Sequence, residues 1–325
     1  MRYEPGMTST STSTSTSSDR ILRGLVAGGQ ARFVAVVASG LARDAAVRHA
    51  ARGCAAIALG RAGAAGLLLA TLTKGDERVT LQILGDGPLG AVTVDATAGG
   101  DARIFLRNPA SATVTEDETG RARIGPWIGR SGMVSVVRDL GLRDTFRGQT
   151  ALADGEIDTD VEKYLLDSEQ IDSALACETI LDGSGTIRHA VGVLLQALPG
   201  GAGSALLAGA RARLRAGALA AALTAVTFDA RPDDITNAIA GAALGARADA
   251  LDILDARGVR FHCPCTRERA STTLGLLGQD DLAAMIREDG AAEVTCEFCR
   301  TVSQFTDAEL EQIRRALRAE SVAPS

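Results

Sequence analysis

Apolar and polar positions alternate most cleanly in RVTLQILGDGPLGAVTVDAT, where Val79, Leu81 and Ile83 interleave with Arg78, Thr80 and Gln82. A period of two, the turn residues GDGP and a second extended run over 91–95 predict a hairpin. Upstream, ARFVAVVASG has the apolar density of a strand, and LARDAAVRHAARGCAAIALGRAGAAGLLLATLTKG predicts one long or two consecutive helices ending at Gly75. RIFLRN and MVSVVRDL are further strands, separated by turns such as IGPWIGRSG. DTDVEKYLLDSEQI has helical periodicity, with Asp158 or Thr159 as N-cap. SALACETILD and TIRHAVGVLLQAL return to β-branched runs around DGSG. Strands and helices in this order, without regular alternation, give an α+β class, with a mixed helix and sheet core domain over 28–200.

The first 27 residues are a Ser/Thr-rich tail with little to bury, expected to be disordered. PGGAG at 199–203 marks the far boundary of the core. Residues 201–255 are Ala-rich and helix-prone, broken at Pro232. Alanine favours the helix but supplies little apolar area, so this helical linker must pack on something else to stay folded. Residues 256–325 form a small C-terminal unit that holds the helical segment QDDLAAMIRE and most of the cysteines.

Composition narrows the function. Of 325 residues, 46% are hydrophobic but only 3% aromatic, so Ala, Leu, Val and Ile must fill the core. A net charge of −6 gives no reason to expect nucleic acid or an anionic membrane as partner. LGRAGAAGLLLATL is too short to span a bilayer and carries Arg61. The N-terminus lacks the apolar stretch of a secretory signal, which points to a cytoplasmic protein whose thiols are kept reduced.

In that compartment, clustered cysteines point to metal or redox chemistry. Cys54 and Cys177 stand alone in apolar surroundings and read as small buried hydrophobes. Cys263, Cys265, Cys296 and Cys299 fall within one 37-residue window, in FHCPC and TCEFC. Side chains at i and i+2 of an extended Cys263-Pro264-Cys265 share a face, and Cys296-Glu297-Phe298-Cys299 has turn-forming spacing. Four thiolates make a closed tetrahedral zinc site, so these cysteines are the expected ligands of Zn²⁺. His262 adjoins the first pair and is read as lying beside an already complete site. Arg260, Arg267, Arg269 and Arg300 are near enough in sequence to offset the site's negative charge. Zinc in a small module contributes on the order of 10–16 kcal/mol of apparent folding free energy. It also keeps the sulfurs deprotonated, the form that oxidants attack.

These residues resemble the redox-regulated heat-shock protein 33 chaperones. The resemblance runs over roughly 30–310 and rests on FHCPC, RERA, LAAMIREDG and EVTCEFC, with LLLATLTKGDERVTLQILGDGPLG, FRGQTAL, VEKYLLDSEQ and VGVLLQALPG earlier in the chain. It implies a chaperone that works poorly while reduced and zinc-bound. Oxidation would form the disulfides Cys263–Cys265 and Cys296–Cys299, release zinc and unfold the zinc domain and linker. The exposed surface would hold unfolding client proteins without ATP, as a homodimer, under oxidative stress. Ser303 stands where the family commonly has an aromatic residue, Thr266 where it has serine, and the linker is richer in alanine.

The alternative is a constitutive zinc-ribbon protein-binding module without redox activation. A nucleic-acid ribbon would need a basic face, yet from Ala256 onward nine Arg face eleven Asp and Glu. No βαβ pattern surrounds Cys296 and Cys299, as a thioredoxin-like oxidoreductase would require. GRSGM misses the nucleophile-elbow pattern at Met133, GDGP lacks the Gly-Lys-Ser/Thr of a phosphate loop, and His49, His189 and His262 have no catalytic spacing. The sequence therefore reads as a chaperone and not an enzyme.

Overall fold

The computed structural model describes residues 19–73, 77–109, 113–139, 145–199 and 203–322; the Ser/Thr repeat, Gly75 and the middle of PGGAG lie outside them. In chain order come strands β1 (Arg20–Val26) and β2 (Ala31–Val37), then helices α1 (Ser39–Arg48) and α2 (Cys54–Ala70). The hairpin β3 (Arg78–Gly85) and β4 (Ala91–Thr97) leads to β5 (Asp101–Leu106), the short pair β6 (Thr115–Glu116) and β7 (Ala122–Arg123), and the single turn α3 (Gly125–Ile128). Next are β8 (Gly132–Asp139), β9 (Thr145–Ala151), α4 (Ile157–Asp167), β10 (Ser173–Leu181) and β11 (Ile187–Ala197).

Two sheets enclose α2. One runs β10-β11-β2-β1 and the other β5-β4-β3-β8-β9, each continued at one edge by a strand from the C-terminal third. All 17 residues of α2 are buried, as expected of a helix that is apolar all round. Gly60 lies against Thr179 of the first sheet, whereas Gly63 and Gly66 meet Ile104 and Val94 of the second. The one cation in this helix, Arg61, is fully buried and donates to Glu156, Glu178 and the Ala122 carbonyl. Strand β2 is apolar on both sides because both are covered. Val34 and Val36 face α2, while Phe33, Ala35 and Val37 belong to a second core on the outer face.

That outer face is covered by the segment expected to be a linker. Helices α5 (Gly203–Arg215), α6 (Ala218–Thr224) and α7 (Pro232–Leu244) bury Leu206, Leu207, Leu219, Leu223, Ile235 and Ile239 against it. A 3₁₀ turn over Gly245–Ala250 then leads into β12 (Leu251–Gly258) and β13 (Arg260–Phe261). The chain closes with α8 (Arg267–Gly275), α9 (Gln279–Glu288), the hairpin β14 (Ala291–Thr295) and β15 (Val302–Thr306), and α10 (Asp307–Val322). These last elements share a small core of Leu274, Leu282, Ala292, Phe305 and Leu310.

Three expectations are corrected. Residues 20–26, read as part of a disordered tail, form β1, which pairs with β2 and buries Ile21, Leu22 and Val26. The helical linker does not run to 255: Leu251–Gly258 is strand β12, paired antiparallel with β1 and crossing the expected boundary at 256. Helix α4 begins after Glu156, so neither Asp158 nor Thr159 is its cap; both lie inside the first turn, where Asp158 accepts from Arg121. The Ala-rich stretch before the hairpin resolves into two helices, and the second ends at Ala70.

Candidate metal centre

Strand β13 pairs parallel with β5, Arg260 opposite Asp101 and Phe261 opposite Ala102, and this pairing sets Cys263 and Cys265 at the edge of the second sheet. The Ala102 carbonyl accepts from His262 N at 2.9 Å. Gly100 makes the approach possible. Its φ is +96°, and a Cβ there would sit 2.1 Å from the Gly258 carbonyl oxygen. The other pair lies in the turn of the β14–β15 hairpin. Cys296 N donates to Thr301 O at 2.9 Å, Arg300 N donates to Cys296 O at 2.8 Å, and Arg300 takes the left-handed backbone the turn needs.

The two loops bring all four sulfurs within 4.8 Å of one another. Cys263 Sγ is 3.7 Å from Cys296 Sγ, and Cys265 Sγ is 3.1 Å from Cys299 Sγ. A tetrahedral thiolate site with metal–sulfur bonds of ~2.3 Å has S···S edges of ~3.8 Å, so the set fits one ion. Its protonation also calls for a cation. Burial raises the Cys299 thiol, but hydrogen bonds from Thr301 and the neighbouring thiols bring it down to about 6. Burial, and then the neighbouring sulfurs, push Cys265 well above the usual thiol range, and burial also raises Cys296. One thiolate thus forms readily and opposes the next, and a bound divalent ion would remove that opposition. The ring of His262, an exposed residue, is not among the grouped ligands.

The cation that meets a sulfur is not one of the four arginines expected. Arg103, from β5, donates from Nη1 to Cys263 Sγ at 3.5 Å, grips Asp95 through Nε and Nη2, and lies 4.0 Å from the centroid of Phe298. Arg260 pairs with Asp101, Arg267 with Glu309, and Arg269 donates to the Pro264 carbonyl. Among the described residues none of the four, Arg300 included, donates to a sulfur.

Two more residues of the core bind the metal loops. His49 Nε2 lies 3.2 Å from Ile104 O and 3.1 Å from Phe298 O, donating toward both, and burial holds this imidazole below its ordinary range. Arg48 donates to Cys299 O at 3.2 Å and stacks on Phe261 at 4.5 Å. No local pattern in the sequence marks Arg48, His49 or Arg103; their role comes from where the fold sets them. Thr266 does what a serine would, its hydroxyl accepting from Arg269 N as the N-cap of α8. Cys54 and Cys177 are buried inside the core, as expected of small hydrophobes, and burial raises both thiols.

Comparison with known proteins places these features in one lineage. The family profile described as "Hsp33 protein" matches residues 19–306. The 33 kDa chaperonin of Listeria welshimeri is 35% identical over 296 residues, covering 91% of this chain and 98% of the relative. That of Bacillus subtilis is 33% identical with the same coverage, and that of Geobacter sulfurreducens is 35% identical over 311 residues, covering 93% of this chain and 97% of the relative. The crystal structure of the 33 kDa chaperonin from Thermotoga maritima superposes with a TM-score of 0.72 at 28% identity, covering 94% of this chain and all of that one. With a family match over nearly all its described residues and relatives this similar along their whole length, the chain belongs to the Hsp33 family.

Proposed function

We propose that the protein is a redox-regulated, ATP-independent chaperone in which the state of four cysteines controls whether an apolar sheet face is covered. The observation that carries this reading is the path between the two. The metal loops continue directly from β13 into β12, and β12 lies alongside β1 and is followed back through the 3₁₀ turn to α7. Arg20 of β1 in turn holds Asp233 and Thr236 of α7.

Cys263, Cys265, Cys296 and Cys299 would hold zinc, which when bound keeps the sulfurs deprotonated and ties the two loops together. A peroxide takes the electron pair of one thiolate, giving a sulfenic acid and hydroxide. A neighbouring thiol then displaces the hydroxyl as water and closes a disulfide. The family pairing is Cys263–Cys265 and Cys296–Cys299; the cross-loop distances of the reduced centre reflect a tetrahedron and do not select between pairings. Oxidation removes the charge that Arg103 meets at Cys263 and frees the loops from the sheet edge. Strand β12 is held on one side only and is largely exposed, so it is the weak link between metal loops and helical cover. Release of α5–α7 would present Phe33, Val37, Val191, Val193 and Leu195 to unfolding clients. The open form would dimerise, because so large an apolar face favours association.

Light scattering from a chemically unfolded protein, diluted into buffer with this chain present, tests the reading. Suppression by the peroxide-treated chain and not by the reduced, zinc-loaded one is expected. Equal suppression by both would instead support a constitutive binding module with a structural metal, and none by either would remove the chaperone reading.

A further inference from the structure

A cavity of about 480 Å³ opens beside the four sulfurs. Its wall carries Arg103, Arg267 and Arg269 and five hydroxyl side chains, but no Asp or Glu. Cys265 and Cys296, one from each pair, border it, whereas Cys263 and Cys299 do not. Arg103 is met by Asp95 and Arg267 by Glu309. Arg269 has no carboxylate within ion-pair distance among the described residues, and its guanidinium donates to the Pro264 carbonyl. In a chain of net charge −6, a wall with three arginines, one of them without a carboxylate partner, therefore flanks a concave approach to two of the four clustered sulfurs.

We propose that this cavity is a docking site for small anionic thiol-reactive molecules, such as a disulfide bearing carboxylates, and that it directs first attack to Cys265 or Cys296. The inference rests on the redox reading above for its biological use, though not for its chemistry. A thiolate of the protein attacks one sulfur of the bound disulfide. A mixed disulfide forms, the reagent's S–S bond breaks, and its other half leaves as a thiolate. A second protein thiolate then displaces the attached half, leaving a protein disulfide. The arginines raise the local concentration of the anion and orient it, while the hydroxyl side chains can donate to its oxygens.

The test compares two aromatic disulfides on the full, zinc-loaded chain: dithiobis-nitrobenzoate, a dianion, and dithiodipyridine, which is neutral. Arg269→Gln should slow the dianion about threefold and Arg269→Glu about tenfold, with the neutral reagent changed less than about twofold. Added salt should shrink the dianion's advantage, and mass spectrometry of the first adduct should place it on Cys265 or Cys296. Parallel changes with both reagents would mean that Arg269 acts only by holding the Pro264 carbonyl, and would overturn the proposal. So would a first adduct on Cys263 or Cys299. A chain that labels as expected yet fails to suppress aggregation after oxidation keeps the cavity and loses the chaperone reading.

Discussion

Arg103 joins a sulfur, an aromatic ring and a carboxylate, so its removal should be felt on both sides of the contact between metal loops and sheet. Arg103→Ala forfeits a charge-assisted bond to Cys263 and a cation–π contact with Phe298, together worth about 1–3 kcal/mol. Zinc competition with a chromophoric chelator should show affinity lowered about tenfold or more, and unchanged affinity would remove Arg103 from the site. A different residue sets a pH dependence. Asp160 is fully buried, and desolvation raises its carboxyl from 3.8 to about 6. Between these values the folded state binds the proton more tightly than the unfolded one, so this group's contribution to stability grows as pH falls from about 6 to 3.8. Asp160→Asn lacks that gain. Its melting temperature relative to the parent should therefore decline from pH 7 to pH 4, and a constant difference would contradict the assignment. The four cysteines were legible in the sequence because their signal is local spacing. Arg103 and His49 were not, since only the pairing of β13 with β5 brings residues so far apart in sequence together.

Among the elements, β12 and β1 explain each other's absence from the sequence reading. Strand β12 is an edge strand whose one partner among the described residues, β1, lies more than 200 residues away, with Arg20 opposite Gly258, and β1 lies between it and β2. Neither ILRGLV nor LDILDARG repeats cleanly enough to declare itself alone. Strand β3 of the β3–β4 hairpin did so because one face is buried and the other is half-exposed, which writes the period of two into the chain. The crossing at Gly100 gives a direct test of how β12 and β13 are seated. Gly100→Ala puts a methyl against the Gly258 carbonyl at a positive φ and should cost about 1–3 kcal/mol or shift the strand. Chemical unfolding and zinc affinity should both report it, whereas loss of neither would mean that the crossing is loose. Gly148 answers a different question, why FRGQTAL and VEKYLLDSEQ belong together. A Cβ there would lie 2.6 Å from both Tyr164 Oη and Ser168 Oγ, so the glycine lets edge strand β9 close on the end of α4. Tyr164 and Arg138 both hold Glu169 there. That motif is accounted for by packing.

At the scale of the whole molecule, one sheet face is buried against α2 and the opposite face against α5–α7, and the two coverings differ in kind. Helix α2 is wholly buried, with its arginine locked between two carboxylates; removing one partner, as in Glu178→Gln, should destabilise the chain by about 3–5 kcal/mol in urea unfolding. Helices α5–α7 are partly exposed, rich in alanine, and continuous in sequence with the strand that leads to the metal loops. On the proposed mechanism the inner core stays fixed and the outer cover is the part that is released. The most direct measurement is amide hydrogen exchange, followed peptide by peptide, on the reduced zinc-loaded chain and after peroxide oxidation. Protection should fall sharply over residues 203–258 and 259–306, while α2 and β3–β4 keep theirs. Unchanged protection over 203–258 after both disulfides have formed would contradict the account, because the cysteines would then control the metal loops and not the cover.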